Sequence, residues 1–81
     1  MNLSEKIKAQ LGKIFSPDAQ IQLADERGDG YHFALSIISK DFEGKSRIQR
    51  SQMVYAALDN LMKTGEIHAL QLQLKTPEEN E

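Results

Sequence analysis

The sequence predicts an α+β domain: a three-stranded mixed sheet with helices packed on one face, in the order αββ(α)αβ. Three patterns lead to this prediction. Apolar residues recur at helical spacing in residues 2–15 and again in 54–62. They alternate with polar residues in 19–24 and 31–39, two segments joined by a turn with two glycines. The same alternation returns in 65–77 and predicts a third strand.

Length and composition place narrow limits on what this chain can be. Its 81 residues are enough for one domain, 1–81, and too few for a second core. The formal charge of −2 argues against binding nucleic acid or anionic membrane over the whole surface, although a local patch remains open. Without cysteine, the chain has no disulfide and no thiolate to offer a metal or a substrate.

The sequence does not predict a secreted or membrane protein, and it does not predict an enzyme. No signal-peptide core and no apolar run of about 20 residues occur, so we expect a cytoplasmic protein without a membrane segment. The carboxylates cluster in turns and near the C-terminus, and no nucleophile–histidine–acid set can be nominated, so we do not expect an enzyme.

The long connection between the second and third strands is predicted to hold a short turn and then a helix. Ile48 does not lie on the apolar stripe of residues 54–62, which predicts a separate turn at 46–49. Ser51 would then cap the longer helix. Gly65 is typical of a residue that follows a helix end.

A basic window precedes this helix. Residues 40–50 hold four basic and two acidic side chains, and Lys45, Arg47 and Arg50 are candidates for contacting a nucleic acid or an acidic partner. A solvated basic face is the alternative. Residues 76–81 are predicted to form a loose acidic tail.

His68 and His32 are the candidate metal ligands. The long crossover predicts that the second and third strands are parallel neighbours, which puts both histidines at one edge of the sheet. Successive side chains of a strand point to opposite faces of the sheet. His68 is an even number of residues from the leucines of the last strand and would share their face, whereas His32 alternates with the apolar row of its own strand and would point to the other face. Unless the glycine-rich loop turns His32 round, the two would not face one another. A hydrogen-bonded packing role remains the alternative for each ring.

Several motifs together resemble the BolA family and cover nearly the whole chain. They are 28–33 (Gly-Asp-Gly-Tyr-His-Phe), 42–47 (Phe-Glu-Gly-Lys-Ser-Arg), 53–55 (Met-Val-Tyr), 65–70 (Gly-Glu-Ile-His-Ala-Leu) and 76–78 (Thr-Pro-Glu). The chain is most similar to the short bacterial branch with histidine in the hairpin loop. The family fold is similar to a class II KH domain, in agreement with the element order above.

The resemblance implies a protein that pairs with a monothiol glutaredoxin and shares a [2Fe–2S] cluster with it. Glutaredoxin and glutathione would supply thiolates, His68 would supply an imidazole, and His32 is the second candidate ligand. Imidazole can replace thiolate on iron and raises the potential of the cluster. Because a neutral ring is needed, cluster capture should weaken as the pH falls through the titration range of histidine.

Two departures from the family concern the partner-facing surface. Many relatives read Arg-His-Arg where this chain has Arg50-Ser51-Gln52, and many carry a tryptophan where this chain reads Glu79-Asn80-Glu81.

Three hypotheses follow for the function. The first is the cluster-sharing adaptor, with an apo form that is a monomer. The second is a transcriptional regulator that binds DNA through the KH-like fold, although residues 44–47 (Gly-Lys-Ser-Arg) lack the second glycine of a Gly-x-x-Gly loop. The third is a plain interaction domain that binds neither metal nor nucleic acid.

Overall fold

The computed structural model describes residues 2–30 and 32–80, so the predicted strand start at Tyr31 lies outside the described residues. One three-stranded sheet, in the order β1-β2-β3, carries the helices. The elements are α1 (Leu3–Leu11), β1 (Gln20–Asp25), β2 (His32–Ile38), a one-turn 3₁₀ helix (Lys40–Phe42), α2 (Arg47–Ala57), α3 (Asp59–Lys63) and β3 (Ala69–Lys75). No helix in the described ranges has the length and apolar character needed to cross a bilayer.

The sheet is mixed, as the sequence predicted. β1 runs antiparallel to β2 with Leu23 opposite Leu35, and β2 runs parallel to β3 with Leu35 opposite Leu72. Leucines from all three strands therefore form one row across the sheet. The polar residues between them point to the other face, where Gln22 and Gln73 are exposed. This arrangement confirms the predicted hairpin and crossover.

The hydrophobic core lies between the leucine face of the sheet and the helices. Phe42, from the 3₁₀ helix, is fully buried at its centre and meets the ring of Phe15 edge-on, with 5.2 Å between the ring centroids. The other buried apolar side chains are Ile7, Leu11, Phe33, Leu35, Ile37, Val54, Leu58, Leu61 and Ile67. Helices on one face of the sheet, with polar residues on the other, confirm the predicted α+β class.

The first helix is shorter than predicted, since α1 ends at Leu11 rather than at Phe15. Gly12 follows it, and glycine is a weak helix former. The chain then turns, which leaves Ile14 45% exposed and directs Phe15 into the core. The chain thus leaves the helix after Leu11, and Phe15 packs on Phe42 instead of extending the apolar stripe of α1.

The start of α2 also differs from the prediction. Ser46 is the N-cap: its hydroxyl accepts a hydrogen bond from the Gln49 N–H at 3.2 Å, and the Gln49 side chain accepts one from the Ser46 N–H at 2.9 Å. This reciprocal pair is a capping box, so 46–49 is the first turn of α2 and Ser51 lies inside the helix. Ile48 is an isolated exposed apolar residue, which is common on protein surfaces, and it marks no break.

Residues 76–80 form a hydrogen-bonded turn after β3. Glu79 accepts hydrogen bonds from the Thr76 N–H at 2.9 Å and from the Arg50 guanidinium, with Nη1–Oε1 at 2.7 Å and Nη2–Oε2 at 3.2 Å. Thr76 is 6% exposed, and its hydroxyl accepts from the Glu79 N–H. The carboxylate of Glu79 thus binds Arg50 of α2 and holds this turn against the helix.

We expect Phe42→Ala to lower the free energy of unfolding by about 3–5 kcal/mol, because it removes a fully buried ring and leaves a cavity. Phe42→Leu should cost less, since it keeps most of the apolar volume. Urea-induced unfolding measures both changes. A loss below about 1 kcal/mol for the alanine variant would contradict the central position of this ring.

The Glu79 contacts predict a pH-dependent stability. The hydrogen bond from Arg50, followed by that from the Thr76 N–H, lowers the pKa of Glu79 from 4.5 to about 2. A lowered folded-state pKa stabilises the fold fully above the unfolded value, and this stabilisation is lost as the pH falls through the folded value. Glu79→Gln should therefore destabilise the protein at neutral pH, and its difference from the wild type should shrink as the pH approaches about 2.

Urea unfolding at several pH values tests this, with Glu78→Gln as the matched control. Glu78 is exposed and makes no ion pair within residues 2–30 and 32–80. Equal effects of the two substitutions at neutral pH would show that the Arg50–Glu79 pair does not stabilise the fold.

Candidate functional site

The loop between β1 and β2 places His32 at the end of the sheet. Gly28 and Gly30 take φ values of 68° and 79°, which glycine adopts without strain. Asp25 Oδ2 accepts a hydrogen bond from the Gly30 N–H at 2.8 Å, and Asp29 Oδ1 accepts one from the His32 N–H at 3.3 Å. These two carboxylates shape the loop so that β2 begins at His32.

The imidazole of His32 is oriented by the same Asp29. Its Nδ1 lies 2.8 Å from Asp29 Oδ2, and an ionised carboxylate can only accept a hydrogen bond, so Nδ1 carries the proton. In the neutral ring, Nε2 then keeps its lone pair for a metal. A carboxylate bonded to the far nitrogen of a ligating histidine is a common way to hold such a ring in place.

His68 lies in the connection from α3 to β3, where Gly65 takes a φ of 81° after the helix, as predicted. Ile67 is 2% exposed, and its N–H donates to the Leu61 carbonyl at 3.2 Å, which ties this connection to the core. His68 itself is exposed, and the strand begins only at Ala69. The prediction that His68 lies on the core row with the leucines is therefore wrong, because the chain bends before β3 begins.

The structure brings His32 and His68 together. Their ring centroids are 6.2 Å apart, with an angle of 77° between the ring planes. In the parallel pairing of β2 with β3, His32 lies opposite Ala69, so His68 is one residue before its partner position at the same sheet end. The sequence correctly placed both residues at one edge, and the two rings lie close together, which it predicted only if the glycine-rich loop turned His32 round.

This pair can offer two imidazole nitrogens to one metal centre and no more. No group of three or more histidine, aspartate or glutamate side chains in the described ranges could hold a metal ion, and the chain has no cysteine. Transition metals in proteins usually take four or more ligands. A metal at this site would therefore need ligands from another molecule.

The basic candidates lie at the other end of the sheet. Lys45 and Arg47 are exposed beside the last residues of β3, where they line a groove of about 620 Å³ together with Leu74 and Lys75. His32 and Ala69 stand at the opposite ends of their strands. The seven residues of β3, from Ala69 to Lys75, span about 20 Å, so the histidine pair and the basic residues are separate sites.

Arg50 is a structural residue. Its side chain is 11% exposed, and its guanidinium lies 5.8 Å from the centre of the Phe42 ring. Besides the contacts to Glu79, Nε donates to the Lys45 carbonyl at 3.0 Å and Nη1 to the Leu74 carbonyl at 3.3 Å. Only Lys45 and Arg47 of the three basic candidates therefore present their charge to solvent.

The sequence interpretation missed Asp29 and Glu79. Asp29 stands three residues before His32, a spacing at which aspartate often accepts a hydrogen bond from the following backbone, so a local signal existed. Glu79 stands 29 residues from Arg50, and nothing local indicates that pairing.

Comparison with known proteins identifies the family. The family model described as BolA-like protein matches residues 3–79. BolA-like protein 1 from Mus musculus is 36% identical over 78 residues, which is 88% of this chain and 56% of the mouse protein. The chain thus spans about half the length of this relative.

Solved structures have the same fold over nearly the whole chain. BolA1 from Arabidopsis thaliana superposes with a TM-score of 0.87 at 32% identity, covering 98% of this chain and 96% of that one. A BolA homologue from Coxiella burnetii superposes with a TM-score of 0.75 at 32% identity, covering 99% and 97%. The protein belongs to the BolA-like family.

Proposed function

We propose that this protein is a non-catalytic adaptor that pairs with a monothiol glutaredoxin and co-ligates a [2Fe–2S] cluster through histidine. The observation that carries the proposal is the pair of imidazoles, His32 and His68, 6.2 Å apart at one sheet end of a chain without cysteine. Such an adaptor would act in iron–sulfur cluster trafficking or in iron and redox regulation.

The two histidine ligands fit a cluster shared with a partner better than a cluster bound by this chain alone. Iron–sulfur clusters are held mainly by thiolates, and imidazole can replace part of the set. Among the described residues, His32 and His68 are the candidate ligands, and the sequence has no cysteine, so the thiolates would come from the glutaredoxin and its glutathione. His32 would bind through Nε2, because Nδ1 is bonded to Asp29. The bound cluster would supply the redox chemistry, while the chain holds its ligands in place.

DNA binding receives less support from the geometry. Arg50 is held by Glu79 and the Phe42 ring, which leaves Lys45 and Arg47 as the exposed cations of the three candidates. Exposed charge by itself gives a salt-sensitive, sequence-independent attraction to a phosphate backbone. The transcriptional-regulator hypothesis stays a prediction that a salt titration with DNA can test.

We expect His68→Ala to abolish or strongly alter the visible circular dichroism of the cluster-loaded complex, because the variant lacks one ligand. The complex is assembled by anaerobic reconstitution with a monothiol glutaredoxin and glutathione. Gln71→Ala, an exposed substitution on β3, serves as the matched control and should leave the spectrum unchanged. Far-ultraviolet circular dichroism verifies that both variants are folded.

The outcome that would remove His68 from the site is a folded variant whose visible spectrum equals that of the wild type. Failure of the wild-type protein to change the spectrum of the glutaredoxin cluster would overturn the adaptor proposal as a whole.

Asp29→Asn should weaken cluster retention without abolishing the spectrum. Loss of the carboxylate removes the charge-assisted hydrogen bond that orients His32, and such substitutions typically lower metal affinity by about 10–100-fold. Competition with an iron chelator measures the change. Retention equal to that of the wild type would show that Asp29 does not position a ligand.

A further inference from the structure

The outer edge of β3 is open to a further strand. β3 is the last strand of the sheet, and hydrogen bonds at its end fix which of its groups face outward. The Lys75 carbonyl accepts from the Ser39 N–H at 2.9 Å, on the β2 side, whereas the Leu74 carbonyl accepts from Arg50, away from β2. Because backbone groups alternate along a strand, the N–H and C=O of Leu72 also face outward.

Lys75 and Arg50 protect only the last part of this edge strand. Residues 70–74 read Leu-Gln-Leu-Gln-Leu, with no charge and no proline. Natural edge strands are usually blunted by lysine, proline, a bulge or a covering loop. Here the Arg50 guanidinium satisfies only the last outward carbonyl, that of Leu74. Within residues 2–30 and 32–80, no further strand pairs with the outward groups of Leu70 and Leu72, which can therefore bind a partner backbone.

A positively charged groove runs beside the same edge. Its volume is about 620 Å³, and its walls are residues 72–75 of β3 on one side and the start of α2 on the other. Lys45, Arg47 and Lys75 line it, and none of these three forms an ion pair within the described parts of the chain. The groove therefore combines a strand edge with uncompensated positive charge.

The chain already places one carboxylate in this groove. Glu79 lines it and binds Arg50 through both carboxylate oxygens. The groove is thus wide enough for an acidic side chain next to β3, and an Arg–carboxylate fork is the strong form of such a contact.

We propose that the groove binds an extended acidic peptide segment of a partner protein, which adds to the edge of β3 as a fourth strand and directs its carboxylates to Lys45 and Arg47. Main-chain hydrogen bonds to Leu70 and Leu72 supply affinity, and the positive wall selects acidic sequences. The proposal does not depend on the histidine pair, which lies at the opposite sheet end.

Nucleic acid fits the groove less well. No aromatic side chain is among the lining residues, so bases have no ring on which to stack. Residues 44–47 also lack the second glycine that would let a phosphate backbone approach closely. A strand edge, by contrast, presents donors and acceptors at the repeat of a peptide backbone.

The test uses a fluorescein-labelled octapeptide of alternating glutamate and threonine and the full-length protein at low ionic strength, where charge screening is weakest. Fluorescence anisotropy should show saturable binding, and a lysine–threonine peptide of equal length should not bind. Lys45→Gln combined with Arg47→Gln should weaken binding about 10-fold or more. The matched control, Lys8→Gln with Lys13→Gln, removes two exposed charges outside the groove and should change affinity by less than about twofold.

Hydrogen exchange distinguishes strand addition from general charge attraction. Bound peptide should slow amide exchange at Leu70 and Leu72, and His68→Ala should retain peptide binding even if it loses the cluster. Unchanged exchange at both leucines would overturn the proposal, as would equal binding by the control variant and the Lys45/Arg47 variant. Tighter binding of an oligothymidylate of equal length, lost in the same variant, would assign the groove to nucleic acid instead.

Discussion

The parallel pairing of β2 with β3 is the constraint on which both surfaces of this protein depend. Parallel strands begin at the same end of a sheet, so the hairpin loop that carries His32 meets the connection that carries His68. The same pairing leaves β3 at the sheet edge, with its last residues beside the start of α2. The helical crossover makes this pairing possible, and its buried residues Val54, Leu58 and Leu61 anchor it to the core.

A largely buried arginine joins the three segments around the basic groove. Arg50 has its side chain 11% exposed, and burial of a charge is unfavourable unless it is paired and hydrogen-bonded. Its partners come from the start of α2, from the end of β3 and from the C-terminal turn, and the Phe42 ring lies against it. Arg50 therefore connects the start of α2, the end of β3 and the turn at residues 76–80.

The two ends of the sheet differ in chemistry. The histidine end places the two imidazoles of His32 and His68 side by side, and Asp29 orients the ring of His32. The far end offers positive charge and outward backbone groups. Because about 20 Å separates them, a molecule at one end does not need to displace a molecule at the other.

Periodicity in the sequence was sufficient to predict the α+β class, the hairpin, the parallel crossover and the family, because each depends on alternation or on short motifs. The same periodicity failed where non-local contacts decide the structure. The helical spacing predicts a helix to Phe15, but packing on Phe42 turns the chain after Leu11. The alternation predicts that His68 lies on the leucine row, but the strand begins only at Ala69. The KH-like comparison and the metal role of both histidines stay predictions.

The sequence by itself determined the three strands, their order and pairing, and that both histidines would come to one end of the sheet. Only the tertiary structure decided that their ring centroids lie 6.2 Å apart and that Arg50 is held by Glu79. The physical reason is distance along the chain. Alternation and capping act between near neighbours, whereas these contacts join residues 29 or more positions apart, whose approach depends on how the sheet and helices pack.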